Sequence, residues 1–198
     1  MQPVTRIEGL AVSLPRDNVD TDAIAPVRFG TTISRAGFEK AFFADWRKDP
    51  AFPLDRAAGA CILVAGANYG CGSAREIAVW AHLQAGFRAM IAPSFAGIFK
   101  ANAIRNGLLA VELPEAAVAA LHSGLAPAAA TVAIDLEAQA VRGPDGQTHA
   151  FEIAAADKYA LLNGLDPVDR TLQHEYEIAA FQFMDRDLRG WAWPKKRI

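Results

Sequence analysis

The sequence predicts a mixed α/β fold built on a parallel sheet, and three features of its patterning predict it. Short apolar runs at Cys61 to Ala65, Arg88 to Ala92 and Leu108 to Val111 are separated by segments long enough for a crossover helix. Those segments close on Gly86 and on Asn106-Gly107, where a helix can stop. After residue 130 the pattern changes to alternation at Val132, Ile134 and Leu136, and Gly143-Pro144-Asp145-Gly146 then signals a turn between antiparallel strands.

Taken in order, Ile7 to Leu14 reads as a first strand running into the turn Pro15-Arg16-Asp17-Asn18. Asp20 and Asp22 flank Thr21. In an extended segment both acids point the same way, which suits holding an arginine better than meeting an anionic ligand. Residues 25 to 58 form a long, mostly irregular connection in which only Gly37 to Lys48 suggests a helix, and connections of this length are usually functional or mobile. Cys61 to Ala65 has the continuous apolar character of a strand buried on both faces. Gly66, Gly70 and Gly72 break it, and Ser73-x-x-Glu76 has the spacing of a capping box, so a helix is predicted from Ala74 to about Gln84.

Pro93-Ser94 leads into a helix of about ten residues, and Pro114 and Gly124 frame another. Ala126 to Ala130 is a small-residue connector, and two strands, the second at His149 to Ile153, are expected to pair as a hairpin. Asp157 to Asn163 reads as a short helix ended by Gly164. Asp169 to Asp185 reads as one longer helix with Leu172, Ile178, Ala179 and Phe183 available for burial. The tail Trp191-Ala192-Trp193-Pro194 carries two indoles that either fold back on the chain's own core or anchor an interface.

Composition narrows the function. A chain of 198 residues with 52% hydrophobic content can build one well-buried core, and no linker divides it. A net charge of −2 gives no footprint for nucleic acid or an anionic membrane, and Lys195-Lys196-Arg197 is read as a solvated tail. Two cysteines, Cys61 and Cys71, make neither a disulfide framework nor a ligand set for zinc or an iron–sulfur cluster. No leader-like or membrane-spanning segment is read, so a soluble cytoplasmic protein is expected.

Ligands of a parallel sheet belong at the carboxyl ends of its strands, and the turn from Gly66 to Arg75 is such an end. A helix start there leaves N–H groups facing the ligand, and Arg75 adds a full positive charge at an end that ordinarily prefers acids. The place suits an anion. Alternatively Ser73 only caps the helix and Arg75 only pairs with Glu76 or another carboxylate. His82, His122, His149 and His174 show no metal-ligand spacing and read as structural or exposed, and Cys71 has no histidine nearby to activate it.

The stretch NYGCGSAREIAVWA resembles the Asn-(Phe/Tyr)-Gly-x-Gly-Ser-Ser-Arg-Glu-His signature of the swivelling domain of aconitase-like hydro-lyases, most closely the small subunits of 3-isopropylmalate dehydratase. Asn18-Val19-Asp20-Thr21-Asp22-Ala23-Ile24, Trp46-Arg47, Ile91-Ala92-Pro93-Ser94-Phe95-Ala96, Asn106-Gly107-Leu108-Leu109 and Leu162-Asn163-Gly164-Leu165-Asp166 resemble that family in the same order. Nearly the whole chain is covered. The resemblance implies a single swivelling domain over residues 1–198, layered β/β/α with a mixed, largely parallel sheet. A substrate-recognition loop is expected within about 25–58 and a tail at about 186–198.

It also implies the reaction: removal of a proton alpha to a carboxylate, loss of hydroxide to give an alkene, and rehydration at the neighbouring carbon, which interconverts 2- and 3-isopropylmalate in leucine biosynthesis. By the same resemblance Ser73 is the catalytic base, acting as an alkoxide, and Arg75 binds a substrate carboxylate. Gly72, Ala74, Asp22, Thr21, Arg28 and Gly30 complete the expected substrate-binding set. No cofactor is expected on this chain; a large partner subunit is expected to carry a [4Fe–4S] cluster, with a small dicarboxylate as substrate. Three residues depart from the pattern: Ala74 replaces a serine, Ile77 a histidine, and Gly30 a larger apolar residue. They point to an alternative, a paralogue acting on another 2-hydroxy dicarboxylate of the citramalate or citraconate type. A second alternative is a non-catalytic anion-binding regulatory module.

Overall fold

The computed structural model describes residues 1–31, 35–56, 58–126 and 128–194. Four strands, β1 (Arg6–Leu14), β2 (Ile62–Ala65), β3 (Ala89–Ala92) and β4 (Leu109–Glu112), run parallel. Three more, β5 (Ala130–Asp135), β6 (Ala140–Arg142) and β7 (Thr148–Ala150), continue the same sheet antiparallel, in the order β4-β3-β2-β1-β5-β6-β7. β1 is the pivot, since it pairs Ala11 with Ile62 in one direction and Ile7 with Ile134 in the other. The sheet is therefore mixed and only partly parallel.

Helices α2 (Glu76–Gln84) and α3 (Gly97–Arg105) make the crossovers between parallel strands, and α4 (Glu115–Gly124) leads from β4 to β5. All four residues of β2 and of β3 are buried, as continuous apolar runs require when both faces are covered. Their alternate side chains feed two cores. Leu63, Ala65, Met90 and Ala92 pack with Ala78 and Val79 of α2 and Phe99 of α3. Ile62, Val64 and Ile91 pack with Val118 and Leu121 of α4 and with Val132 and Ile134 of β5.

The connection after β1 differs from expectation. It opens with a short helix, α1 (Thr21–Ile24), and continues through 3₁₀ turns at Val27–Phe29, Phe38–Lys40, Trp46–Lys48 and Pro53–Arg56 in place of one helix over Gly37 to Lys48. Phe38, Phe42, Phe43 and Phe52 are buried, and Phe42 and Phe43 both meet the His82 ring edge-on. Aromatic burial of this size holds the segment against the first core without regular secondary structure.

The C-terminal third also departs in detail. β5, β6 and β7 form a meander where one hairpin was expected, because the chain already turns between Asp135 and Ala140, where the Asp135 carboxylate accepts from the Ala138 N–H at 2.8 Å. After α5 (Ala155–Asn163), the single helix expected over Asp169 to Asp185 is two, α6 (Pro167–Leu172) and α7 (Glu175–Leu188). Asp166 caps α6 in a reciprocal box with Asp169. The burial expected there is not made: Leu172 and Phe183 are 55% and 75% exposed, Ala179 is exposed, and Ile178 is half-buried. Of the two tail indoles, Trp193 folds back to donate to Asp185 at 3.0 Å, and Trp191 is exposed. The Lys195-Lys196-Arg197 run lies outside the described residues. No described helix is long and apolar enough to cross a membrane.

Candidate active site

Two loops meet at the carboxyl ends of β1 and β2. On the first, Asp20 accepts from the Ala23 N–H at 2.6 Å and caps α1, so Thr21 and Asp22 lie in a helical turn and not in the extended segment the sequence suggested. Successive helical residues point about 100° apart, which separates the two side chains. Thr21 turns inward and is buried; Asp22 turns outward. The Thr21 N–H donates to the Cys71 carbonyl at 2.9 Å and its hydroxyl donates to the Ser73 carbonyl at 2.7 Å.

On the second loop, Asn68 donates its side-chain amide to the Asn18 side chain at 2.9 Å, and the Gly70 N–H donates to the Val19 carbonyl at 2.8 Å. A parallel bridge between Asp20 and Cys71 carries the β1–β2 pairing past the strand ends. Gly70, at φ +77°, leaves no room for a side chain, because an added Cβ would fall 2.2 Å from the Phe99 ring. Gly72 takes φ +84° and turns the chain outward, leaving Gly72, Ser73 and Ala74 exposed.

The expected capping box does not form. α2 starts at Glu76, and its N-cap is Arg75, in an extended conformation with no side-chain cap. Glu76 instead accepts from the Asn106 side-chain amide at 2.9 Å. Thr21's hold on the Ser73 carbonyl and the left-handed Gly72 draw residues 73–75 out of the helix. The consequence is chemical: the Ser73 hydroxyl is not used as a cap, and the first N–H groups of α2 are left without a side-chain acceptor. Arg75 bonds through Nη1 to Asp22 Oδ1, a pair in which the arginine side chain is 21% exposed and the aspartate 53%. A guanidinium has five N–H donors, so others remain for a second carboxylate.

The structure thus brings together Thr21, Asp22, Gly72, Ser73, Ala74 and Arg75. Arg28 is not brought to this corner. Its guanidinium bonds Asp45 at 2.8 and 3.0 Å, and that contact, with Lys48, holds the Asp45 carboxyl down at about 2. Gly30 ends the 3₁₀ turn after Val27 and lies against α2: a Cβ built on it would sit 3.4 Å from Ile77 Cδ1.

Sequence reasoning missed the supports of the corner. Asn18 and Asn68 both take positive φ, 55° and 54°, and asparagine immediately beside turn residues was the available signal. Ser94 accepts from the Asn68 N–H at 2.9 Å, and Asn106 also accepts from Trp80 Nε1 at 3.0 Å while holding Glu76. No local pattern announces contacts of that range. A cavity of about 580 Å³ lies elsewhere, against Tyr159, Arg170, His174 and Ile178, and no residue of the corner lines it. Among the described residues, no group of three His, Cys, Asp or Glu side chains is placed to hold a metal ion.

Known proteins resemble this chain over most of its length. Residues 1–116 match the family model of the aconitase C-terminal domain, and residues 125–155 match the LeuD_N model. A 3-isopropylmalate dehydratase small subunit from Rubrobacter xylanophilus is 49% identical over 185 residues, covering 92% of this chain and 94% of that one. Its counterpart from Cupriavidus necator is 45% identical and covers 96% and 98%. A crystal structure of 3-isopropylmalate dehydratase (leuD) from Methanocaldococcus jannaschii superposes with a TM-score of 0.69 at 29% identity, covering 88% of this chain and 98% of that one.

Proposed function

Because the chain belongs to the family of 3-isopropylmalate dehydratase small subunits, with the fold of a single aconitase C-terminal domain, we propose that the Ser73 corner is the small-subunit half of its active site. The enzyme is a hydro-lyase of leucine biosynthesis, and the small-subunit family implies a large subunit. Ser73 Oγ takes the proton alpha to a substrate carboxylate. A serine alkoxide is a strong base that needs positive neighbours, and Arg75 with the uncapped N–H groups of α2 supplies them. Arg75 grips a substrate carboxylate through its planar fork, with Asp22 fixing the fork's orientation. Arg28, tied to Asp45, is assigned to holding the recognition segment in shape.

One observation carries this reading: Thr21 holds the Ser73 carbonyl from the loop that also presents Asp22 to Arg75, so base and clamp are fixed to one another. The chain's two cysteines are too few for a [4Fe–4S] cluster, and the large subunit is assigned that group. When bound there it supplies the Lewis acid for the departing hydroxyl, and both subunits work in the cytoplasm. The test is reconstitution. The isolated chain should bind no iron and show no dehydratase activity, the complex with a cluster-bearing large subunit should turn over isopropylmalate, and activity from the single chain would overturn the two-subunit reading. Gly30, Ala74 and Ile77 depart from the family pattern, so the same assay takes citramalate or citraconate as its second substrate.

A further inference from the structure

We propose that Ile77 is a specificity-determining residue of this site, its side chain forming the apolar wall against the substrate's alkyl group in space left open by Gly30. The proposal rests on the reading above and assigns its substrate selectivity. Ile77 is the second residue of α2, and the Cα–Cβ bonds of a helix tilt toward its N-terminus, the end from which Ser73 and Arg75 project. It is only half-buried.

Gly30 has φ −83° and ψ 6°, a conformation open to any residue, so its backbone does not require glycine. What a side chain there would meet is Val27 O at 3.2 Å and Ile77 Cδ1 at 3.4 Å. A side chain at residue 30 would therefore pack against Ile77, and glycine leaves Ile77 without that cover. The charged neighbours are held elsewhere, Arg28 by Asp45 and Glu76 by Asn106, and the Val27 carbonyl is already taken by the Gly30 N–H at 2.8 Å. A dicarboxylate held by Arg75 presents its alkyl branch to whatever non-polar surface adjoins the first turn of α2. Ile77 is that surface.

The experiment uses the reconstituted two-subunit complex and compares kcat/KM for 3-isopropylmalate with that for citramalate in wild type, Ile77→Val and Ile77→Ala. An apolar contact reached only by the larger branch predicts a fall in the isopropylmalate-to-citramalate ratio of about tenfold for Val, for one methylene, and about a hundredfold for Ala. Ile77→Val keeps the fold's packing and so decides the question even where Ile77→Ala melts early. Gly30→Ala, which places a methyl against Ile77 Cδ1, should also move the ratio. A ratio unchanged within twofold, or raised, in both Ile77 variants overturns the assignment while leaving the reaction intact. A wild-type complex that turns over neither compound overturns the reaction and this inference together.

Discussion

The Tyr69 hydroxyl donates to Nε2 of His82 across 2.8 Å, and both side chains are fully buried. The direction follows from the other ring nitrogen. His82 Nδ1 lies 2.7 Å from the Ala78 carbonyl, which only accepts, so Nδ1 carries the hydrogen and Nε2 is bare. Burial keeps this histidine neutral, lowering its pKa to about 4, and pushes the Tyr69 phenol well above its usual range.

Acid should therefore weaken the fold through His82. The unfolded chain protonates this residue below about 6.5, and the native chain resists until about 4, so stability falls as pH drops through that window and levels off below it. The full difference is about 3 kcal/mol. Denaturant melts at pH 7, 5.5 and 4 should show the slope in the wild type, and Tyr69→Phe/His82→Leu, which removes both polar partners, should lose that share of it. An identical slope in the double variant would remove His82 from the account.

Ser73→Ala should abolish turnover in the reconstituted complex and leave substrate affinity largely intact, since a base acts in the transition state. Its melting temperature should not move, because the exposed hydroxyl caps nothing. Retained activity would reduce Ser73 to part of a turn.

For Arg75 the expected split lies between activity and stability. Arg75→Lys keeps the charge and loses the fork, and a carboxylate displaced by roughly an ångström costs about 10²-fold in rate. Arg75→Gln strands Asp22, but that carboxylate is half in water, so the pair is worth at most about 1 kcal/mol and the melting temperature should shift by roughly 4 °C or less. A much larger drop, with activity falling in proportion, would make the arginine a structural member.

Thr21→Val removes the hydroxyl that holds the Ser73 carbonyl and keeps the shape. About 1 kcal/mol of stability should go, kcat should fall more than KM changes, and Thr21→Ser should restore both. A Val variant with wild-type kcat would show that Ser73 does not depend on this support.

Helix α7 should exchange its amides fast in the isolated chain. Tyr176, Phe183, Met184 and Leu188 are 59–91% exposed, and a helix of 14 residues without packing is marginal in water. Hydrogen exchange should show it opening orders of magnitude more readily than β1 to β4, with protection equal to the sheet's as the contrary result.

What the sequence made legible was periodic or punctuated by glycine. The parallel strands, the crossover helices and the turn at Gly143 to Gly146 were read from apolar runs and local turn chemistry. The start of α2 was not, because Ser73 and Glu76 had the spacing of a cap while their real partners, Thr21 and Asn106, lie far along the chain. A local rule lost to two distant hydrogen bonds. The break between α6 and α7 was readable in principle, since Asp166-x-x-Asp169 is itself a capping signal. The Asp22–Arg75 contact was anticipated from the acids' suitability for an arginine, although through an extended geometry that the chain does not adopt.

The hydrogen bond from Thr21 to Ser73 joins residues 52 positions apart and depends on β1 already lying beside β2. Closing a loop of that length carries an entropic cost that only the completed strand pairing offsets. No fragment ending before Arg75 holds both loops, so during synthesis the corner is absent until the second loop has left the ribosome and docked. Refolding should then form the Thr21–Ser73 contact in step with β1–β2 pairing and not with helix formation.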